Sequence, residues 1–328
     1  MGNQISQIFP PTPVFTEANV PDLTSRVYIV TGASSGVGEQ VARILYSKHA
    51  KVYIAARSKV KCTAAIERIK ADVSDSKGEL VYLHLDLSDL STIKASAQEF
   101  LAKEERLDVL FNNAGVMIGP SGEGSKTAQG YEIQLGTNCI GHFLFTKLLR
   151  PIIDQTTKTA PSNSVRVVWV SSNAAEISSP ANGMDISNLD YHIDKSKPMK
   201  YGISKAGNVF HASELAKRSS EKGEGIISIS LNPGALKTEL NRNVPRFLLM
   251  LTSWMLKSPV FGAYTELFAA FSPEVDQSKN GRHIVPWGRL YDGLRKDLLA
   301  AQKGEEEGGL GVARQFWEWS EGQVKDFV

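Results

Sequence analysis

From residue 25 onward, short apolar runs alternate with stretches in which apolar residues recur every three or four positions. The runs "RVYIVTG", "KVYIAAR", "LVYLHLDL", "LDVLFNNAG", "VRVVWVSS" and "GIISISLNPG" are rich in β-branched and aromatic residues. Each predicts a buried strand. Between them, "EQVARILYSKH" and "VKCTAAIERIKADV" carry helical spacing. "DLSTIKASAQEFLAKE" does the same, with Ser88 and Asp89 available as caps. "GYEIQLGTNCIGHFLFTKLLRPII" predicts one long helix, "MKYGISKAGNVFHASELAKRS" another, and "GRHIVPWGR" a last strand.

Strands that alternate with helices imply right-handed crossovers and a sheet covered on both faces. Strands apolar along their whole length fit that burial. The expected fold class is therefore α/β, a Rossmann-type doubly wound, mostly parallel sheet. It would hold about seven strands in the order 3-2-1-4-5-6-7, with helices on both faces of a single domain. That domain would span residues 25–328, behind a Pro-rich leader at 1–24 that contains "FPPTP" and is packed on the surface or disordered. The amphipathic end, 305–328, predicts a C-terminal helix with Phe316, Trp317 and Trp319 against the body. No repeat or low-complexity tract is visible.

Composition narrows the function classes. A chain with 42% hydrophobic and 22% charged residues reads as globular. A net charge of +2 offers no basic excess for nucleic acid. The two cysteines, Cys62 and Cys139, suggest a reducing compartment and no disulfide framework. The expected location is cytoplasmic. No basic region followed by an apolar run suggests a secretory signal. "FLLMLTSWML" is too short to span a bilayer, which takes about 20 apolar residues. "MGNQIS" fits a myristoylation pattern at Gly2 with Ser6, against the plainer reading of a flexible leader. Even if acylated, one such chain supports only weak membrane association.

"TGASSGVG", Thr31 to Gly38, follows the first strand and opens the first helix. In that context a glycine-rich loop points to a dinucleotide. Gly32 permits the turn, Gly36 lets the backbone approach a pyrophosphate, and Gly38 lets helix and strand pack closely. Ser34, Ser35 and Val37 lie in the same loop. Backbone N–H groups at a helix start favour an anion. The second strand ends "IAARSKVK", with no carboxylate for a ribose 2′-hydroxyl and with Arg57 25 residues after Gly32. A guanidinium suits a 2′-phosphate, so the expected cofactor is NADP(H). The alternative for Arg57 is a surface side chain. Asp86, followed by Leu87, either accepts from the adenine amino group or caps the helix behind it.

Taken in order, "TGASSGVG", "LDL", "NNAG", "TNCIGHF", "VVWVSS", "YGISK" and "NPG" resemble the short-chain dehydrogenase/reductase family over about residues 25–240. "NNAGVM" and "TNCIGHFLFT" look most like its retinol-dehydrogenase-like branch, and the leader, "PWGR" and "FWEWSE" like fungal members. The resemblance implies a catalytic tetrad. Tyr201 would be the acid in carbonyl reduction and the base in alcohol oxidation. Lys205, one turn later on the same face, should lower the phenol's pKa from about 10 and hold the nicotinamide ribose. Ser172, chosen over Ser171 by match to the family pattern, would donate to the substrate oxygen. Asn138 would order a water that relays protons to Lys205. Each has a bland alternative: a core tyrosine, a solvated lysine, strand-end serines, a helix asparagine.

Asn112, Asn113, Ala114 and Gly115 end the fourth strand, where open α/β sheets bind ligands. By resemblance "NPGALKT" closes over the nicotinamide, with Pro233 and Gly234 shaping a turn and Thr238 reaching the cofactor. Residues 239–275 would form an apolar substrate lid, or else a core pair, a dimer contact or a membrane-facing patch. Residues 173–199, which separate Ser172 from Tyr201 by 29 positions, depart from the shorter spacing of many members. They would wall the substrate cleft; His192 and Asp194 read best as solvated loop residues. His211 and Glu214 lack further metal-spaced partners, and His49, His84 and His142 stand isolated. No metal is expected. The expected activity is hydride transfer between NADP(H) and a lipophilic or aromatic carbonyl or alcohol. The alternatives are a silent nucleotide-binding regulator or a non-redox enzyme on this fold. The expected partner is a small-molecule substrate, with homo-oligomerisation left open.

Overall fold

The structure, a computed structural model, describes residues 6–118, 125–238 and 256–328. Its strands are β1 (Val27–Thr31), β2 (Lys51–Ala56), β3 (Glu79–His84), β4 (Val109–Asn112), β5 (Arg166–Val170), β6 (Ile227–Leu231), β7 (His283–Val285) and β8 (Arg289–Tyr291). They form one sheet in the order β3-β2-β1-β4-β5-β6-β7-β8. All neighbouring pairs are parallel except β7 with β8. The Rossmann-type architecture expected from the alternation is the one observed, with one strand more.

The helices are α1 (Gly36–Ser47), α2 (Lys59–Asp72), α3 (Leu90–Leu101), α4 (His142–Thr157), α5 (Ala174–Ile177), α6 (Lys197–Glu221), α7 (Pro259–Phe271), α8 (Lys296–Gln302) and α9 (Val312–Val324). Side chains alternate across each strand. Thus Tyr28 and Val30 of β1 enter the core under α1, α2 and α7, while Val27 and Ile29 enter the core under α3, α4 and α6. A third cluster joins α6 to α8 and α9 around Phe210 and Phe316. Asp89 caps α3 by accepting from the Ser91 N–H at 3.1 Å.

Three segments differ from the sequence reading. "GRHIVPWGR" forms a hairpin rather than one strand. Gly288, at φ +78°, donates to the Val285 carbonyl at 3.0 Å and turns the chain back as β8. The long helix before β5 contains a π-helical segment at Gly136–Gly141. Apolar spacing barely registers one extra residue in a turn, and such segments are frequent at functional sites. The leader is not confined to the surface. Phe15, Val20 and Leu23 are buried in the core under α1 and α7, and the Phe15 and Phe268 rings meet edge to face at 5.8 Å.

The expected lid, 239–275, lies outside the described residues as far as 255, as does Gly2. Its described end is α7, whose Ala263, Leu267 and Phe268 are core residues. No helix among the described residues is long and apolar enough to cross a membrane.

Candidate active site

A cleft of about 740 Å³ opens where the chain leaves β1, β2, β3 and β4. Its walls include Gly32, Ser34, Ser35, Gly36, Val37 and Gly38 after β1, Arg57 after β2, Asp86 and Leu87 after β3, and Asn113, Ala114 and Gly115 after β4. Thr238 closes one side. The glycines fit their positions. Gly32 has φ +70°, and a side chain there would meet the Ala114 backbone at 2.9 Å. A methyl on Gly38 would stand 2.5 Å from Asn113 Nδ2. Ser35 is the N-cap of α1 but makes no side-chain cap hydrogen bond, so the first N–H groups of that helix remain available at the cleft wall. These features fit a dinucleotide pyrophosphate.

Arg57 follows β2 and makes no hydrogen bond or ion pair through its guanidinium among the described residues. Ser58 and Lys61 line the cleft beside it and extend its polar end. Asp86 does not cap α3, a role taken by Asp89. Its carboxylate instead accepts from the Ser88 N–H and hydroxyl at 2.9 and 2.6 Å, fixing a tight turn at the cleft wall. Asn113 and Ala114 are tied back to Thr31 at 2.6 and 2.9 Å. Asn112 donates to Thr146 and lies in the core rather than in the cleft lining.

The four residues of the expected tetrad lie beyond the Gly115 end of this cleft. A methyl on Gly115 would sit 3.3 Å from Lys205 Nζ and 3.5 Å from Asn138 Oδ1. Tyr201 and Lys205 are on consecutive turns of α6, with Nζ 5.7 Å from the phenol ring centre. Lys205 Nζ donates to the Val170 carbonyl at 2.9 Å at the end of β5. Of the two serines, Ser171 is buried and donates to the Lys205 carbonyl at 2.6 Å. Ser172 accepts from the Ala174 N–H at 3.2 Å and acts on the Tyr201 hydroxyl. Of the two, Ser172 is the one whose hydroxyl reaches the phenol.

Protonation departs from expectation. Burial pushes the Tyr201 phenol up to about 12, with Ser172 pulling against it. Burial holds Lys205 down to about 8. The expected lowering of the phenol by Lys205 is therefore not seen; the ammonium is held against Val170 instead. Asn138 sits in the π-helical segment. Its Oδ1 accepts from the Val116 N–H at 2.8 Å, and its Nδ2 donates to Val116 O and Ser204 Oγ, each at 3.0 Å. Both amide hydrogens hold protein groups, which leaves a lone pair of Oδ1 for a water.

Pro233 and Gly234 follow β6. Gly234 has φ +92° and donates to Asn232 Oδ1 at 3.0 Å, and a side chain there would strike the Trp287 ring at 2.5 Å. Thr238 lies against Gly36, a methyl on which would approach it to 3.6 Å.

Four contributors were not read from sequence. His142 is fully buried and bridges Thr31 Oγ1 at 3.0 Å and the Asn138 carbonyl at 3.2 Å. Burial holds it down to about 3, so it is neutral. Its place four residues after Asn138 was the available signal. Arg295 clamps the 173–199 segment through the carbonyls of Glu176, Ser179 and Pro180. Gln7 and Glu266, both buried, gave no local signal. His211 stacks on Phe316 in an aromatic box, Glu214 pairs with Arg218, and no metal-holding cluster occurs among the described residues. His192 and Asp194 are exposed partners of Asp190 and Lys200.

The short-chain dehydrogenase family model matches residues 26–184. A short-chain dehydrogenase/reductase from Phomopsis amygdali is 53% identical over 331 residues, covering 99% of this chain and 97% of its own length. The crystal structure of an uncharacterized protein from Mycobacterium paratuberculosis superposes with a TM-score of 0.70 at 28% identity, over 95% of this chain and 97% of its own. The RhlG/NADP active-site complex of Pseudomonas aeruginosa superposes at 0.62 and 25% identity, over 80% and 95%. Sheet order, glycine loop and near full-length likeness lead to one conclusion: the chain belongs to the short-chain dehydrogenase/reductase family.

Proposed function

We propose that the protein is an NADP(H)-dependent carbonyl reductase or alcohol dehydrogenase acting on a lipophilic or aromatic small molecule. Membership of the family carries oxidoreductase chemistry with a nicotinamide cofactor. The observation that carries the finer reading is the pairing of Ser172 and Tyr201 beside the buried Lys205, next to a cleft whose β2 end presents Arg57 and no carboxylate. The RhlG neighbour with NADP supports the same cofactor. The apolar run "FLLMLTSWM" at 247–255 supports an apolar substrate.

Gly32 to Gly38 and the start of α1 would hold the pyrophosphate, Arg57 a 2′-phosphate, and Lys205 the nicotinamide ribose. When bound, the dinucleotide supplies or accepts the hydride. Tyr201, protonated at neutral pH, donates its phenol proton to the oxygen of a carbonyl as negative charge builds there. Ser172 donates a hydrogen bond to the same oxygen and orients it. Lys205 sets a cation beside the phenol ring and offsets the phenolate left behind. Asn138 holds the Val116 segment in place, and a water on its free lone pair would reprotonate Lys205.

Consumption of NADPH and NADH over a broad carbonyl panel tests this reading. Turnover should favour NADPH, and Tyr201→Phe should cut it by at least about a thousandfold while leaving NADPH binding intact. Comparable turnover by the variant would remove Tyr201 from the mechanism.

A further inference from the structure

We infer that Gln7 is a positioning residue for the nicotinamide end of the cleft, acting through the turn that carries Asn232 and Gly234. The inference rests on the dinucleotide reading above.

Residues 6–8 form a helical turn ahead of the Rossmann core. Gln7 is only 3% exposed. Its Nε2 donates to Glu176 Oε1 at 2.8 Å, and its Oε1 accepts from Asn232 Nδ2 at 2.9 Å. Asn232 in turn accepts from the Gly234 N–H at 3.0 Å, and its own N–H donates to the Ile284 carbonyl at 2.9 Å. On the other side, Glu176 Oε2 accepts from the Arg295 N–H at 3.2 Å. The turn is anchored from outside as well, because Arg289 donates to the Ser6 carbonyl at 2.7 Å.

One amide side chain thus joins the loop that follows Ser172 to the turn that follows β6. Glu176 lies in α5, in the loop that leaves Ser172, and Asn232 begins the segment after β6 that carries Pro233 and Gly234. Gly234 has left-handed backbone, so its turn is not held by ordinary strand geometry. Gln7 is suited to the task because a primary amide donates on one side and accepts on the other. Its loss leaves Glu176 Oε1 and Asn232 Nδ2 buried without their partner, which favours displacement of the turn. Burial already holds the Glu176 carboxyl above its usual range.

The test titrates NADPH and NADH alongside their nicotinamide-free counterparts, 2′-phospho-ADP-ribose and ADP-ribose. Gln7→Ala should weaken the preferred reduced dinucleotide about tenfold and leave its nicotinamide-free counterpart unchanged. Gln7→Glu sets two carboxyl groups against each other and should weaken dinucleotide binding more at about pH 8 than at about pH 5.5. Combining Gln7→Glu with Glu176→Gln reverses the donor and acceptor across the same contact and should restore binding to within about threefold of wild type. Equal loss for both nucleotide types would mean a general packing role and overturn the inference. So would full binding in Gln7→Ala, or absence of rescue in the double variant. Wild-type protein that binds none of the four nucleotides would overturn the dinucleotide reading, and this inference with it.

Discussion

Tyr201 and Lys205 occupy consecutive turns of α6, yet burial moves their protonation apart, the phenol up to about 12 and the ammonium down to about 8. Both shifts have one cause, the cost of holding charge away from water. For Lys205 the unfolded chain keeps the ordinary value near 10.5 and therefore binds more protons than the folded chain between about 8 and 10.5. Stability contributed by this group rises with pH across that window, and below it the buried cation is a cost. Lys205→Met should accordingly raise unfolding stability at neutral pH by about 2 kcal/mol while abolishing turnover. The Val170 carbonyl keeps a partner in the variant, because Asn208 Nδ2 also donates to it at 2.9 Å. Urea unfolding across the pH range checks this, and a less stable variant would contradict it. Arg57 carries a separate expectation. On the proposed NADP(H) reading, Arg57→Asp should exchange the cation offered to a 2′-phosphate for a carboxylate offered to a ribose, and move the affinity ratio toward NAD by at least about tenfold. An unchanged ratio would refute that role for Arg57.

At the scale of elements, α4 at its first residue, just after the π-helical segment, and the apolar helix α7 each carry one buried group that ordinary packing would avoid. In the first, His142 reaches back to the Asn138 carbonyl and across to Thr31, so the loops after β1 and β4 and the π-helical segment share one anchored network. In the second, Glu266 is completely buried, and neither carboxylate oxygen has a hydrogen-bond partner among the described residues. Burial pushes its pKa up to about 8, with Lys205 pulling weakly against that. Its folded value is therefore above the unfolded value of 4.5. The favourable contribution is present below about pH 4.5 and is lost as pH rises toward 8. Glu266→Gln should raise the melting temperature at pH 7 by several degrees, on the order of 1 kcal/mol or more, and flatten the stability profile between those limits. A profile unchanged by the substitution would show that Glu266 does not titrate there.

For the whole molecule, the reach of the sequence reading follows from distance along the chain. Strand and helix alternation is local, and so it was legible for β1 to β6 and for the helices that flank them. The glycine loop was legible because Gly32, Gly36 and Gly38 mark a turn whose steric reason lies within eight residues and one neighbouring strand end. Tyr201 and Lys205 were read from the ordered motifs that resemble the family, and their spacing of one helical turn then put them on one face. Gln7 was not, since its partners lie 169 and 225 residues away and an amide in a polar leader carries no periodic signal. The π-helical segment and the β7–β8 hairpin hid for a different reason: neither alters the order of apolar residues enough to be seen. The same fold-wide view gives a use to Trp287. Its indole lies in the β7–β8 turn, directly over Gly234, where a methyl would already touch the ring. The other described tryptophans, Trp169, Trp317 and Trp319, lie in or beside the aromatic cluster around His211. Among the described residues the molecule therefore carries spatially separate fluorophores, one resting on the Gly234 turn and the others reporting how the C-terminal helix is seated.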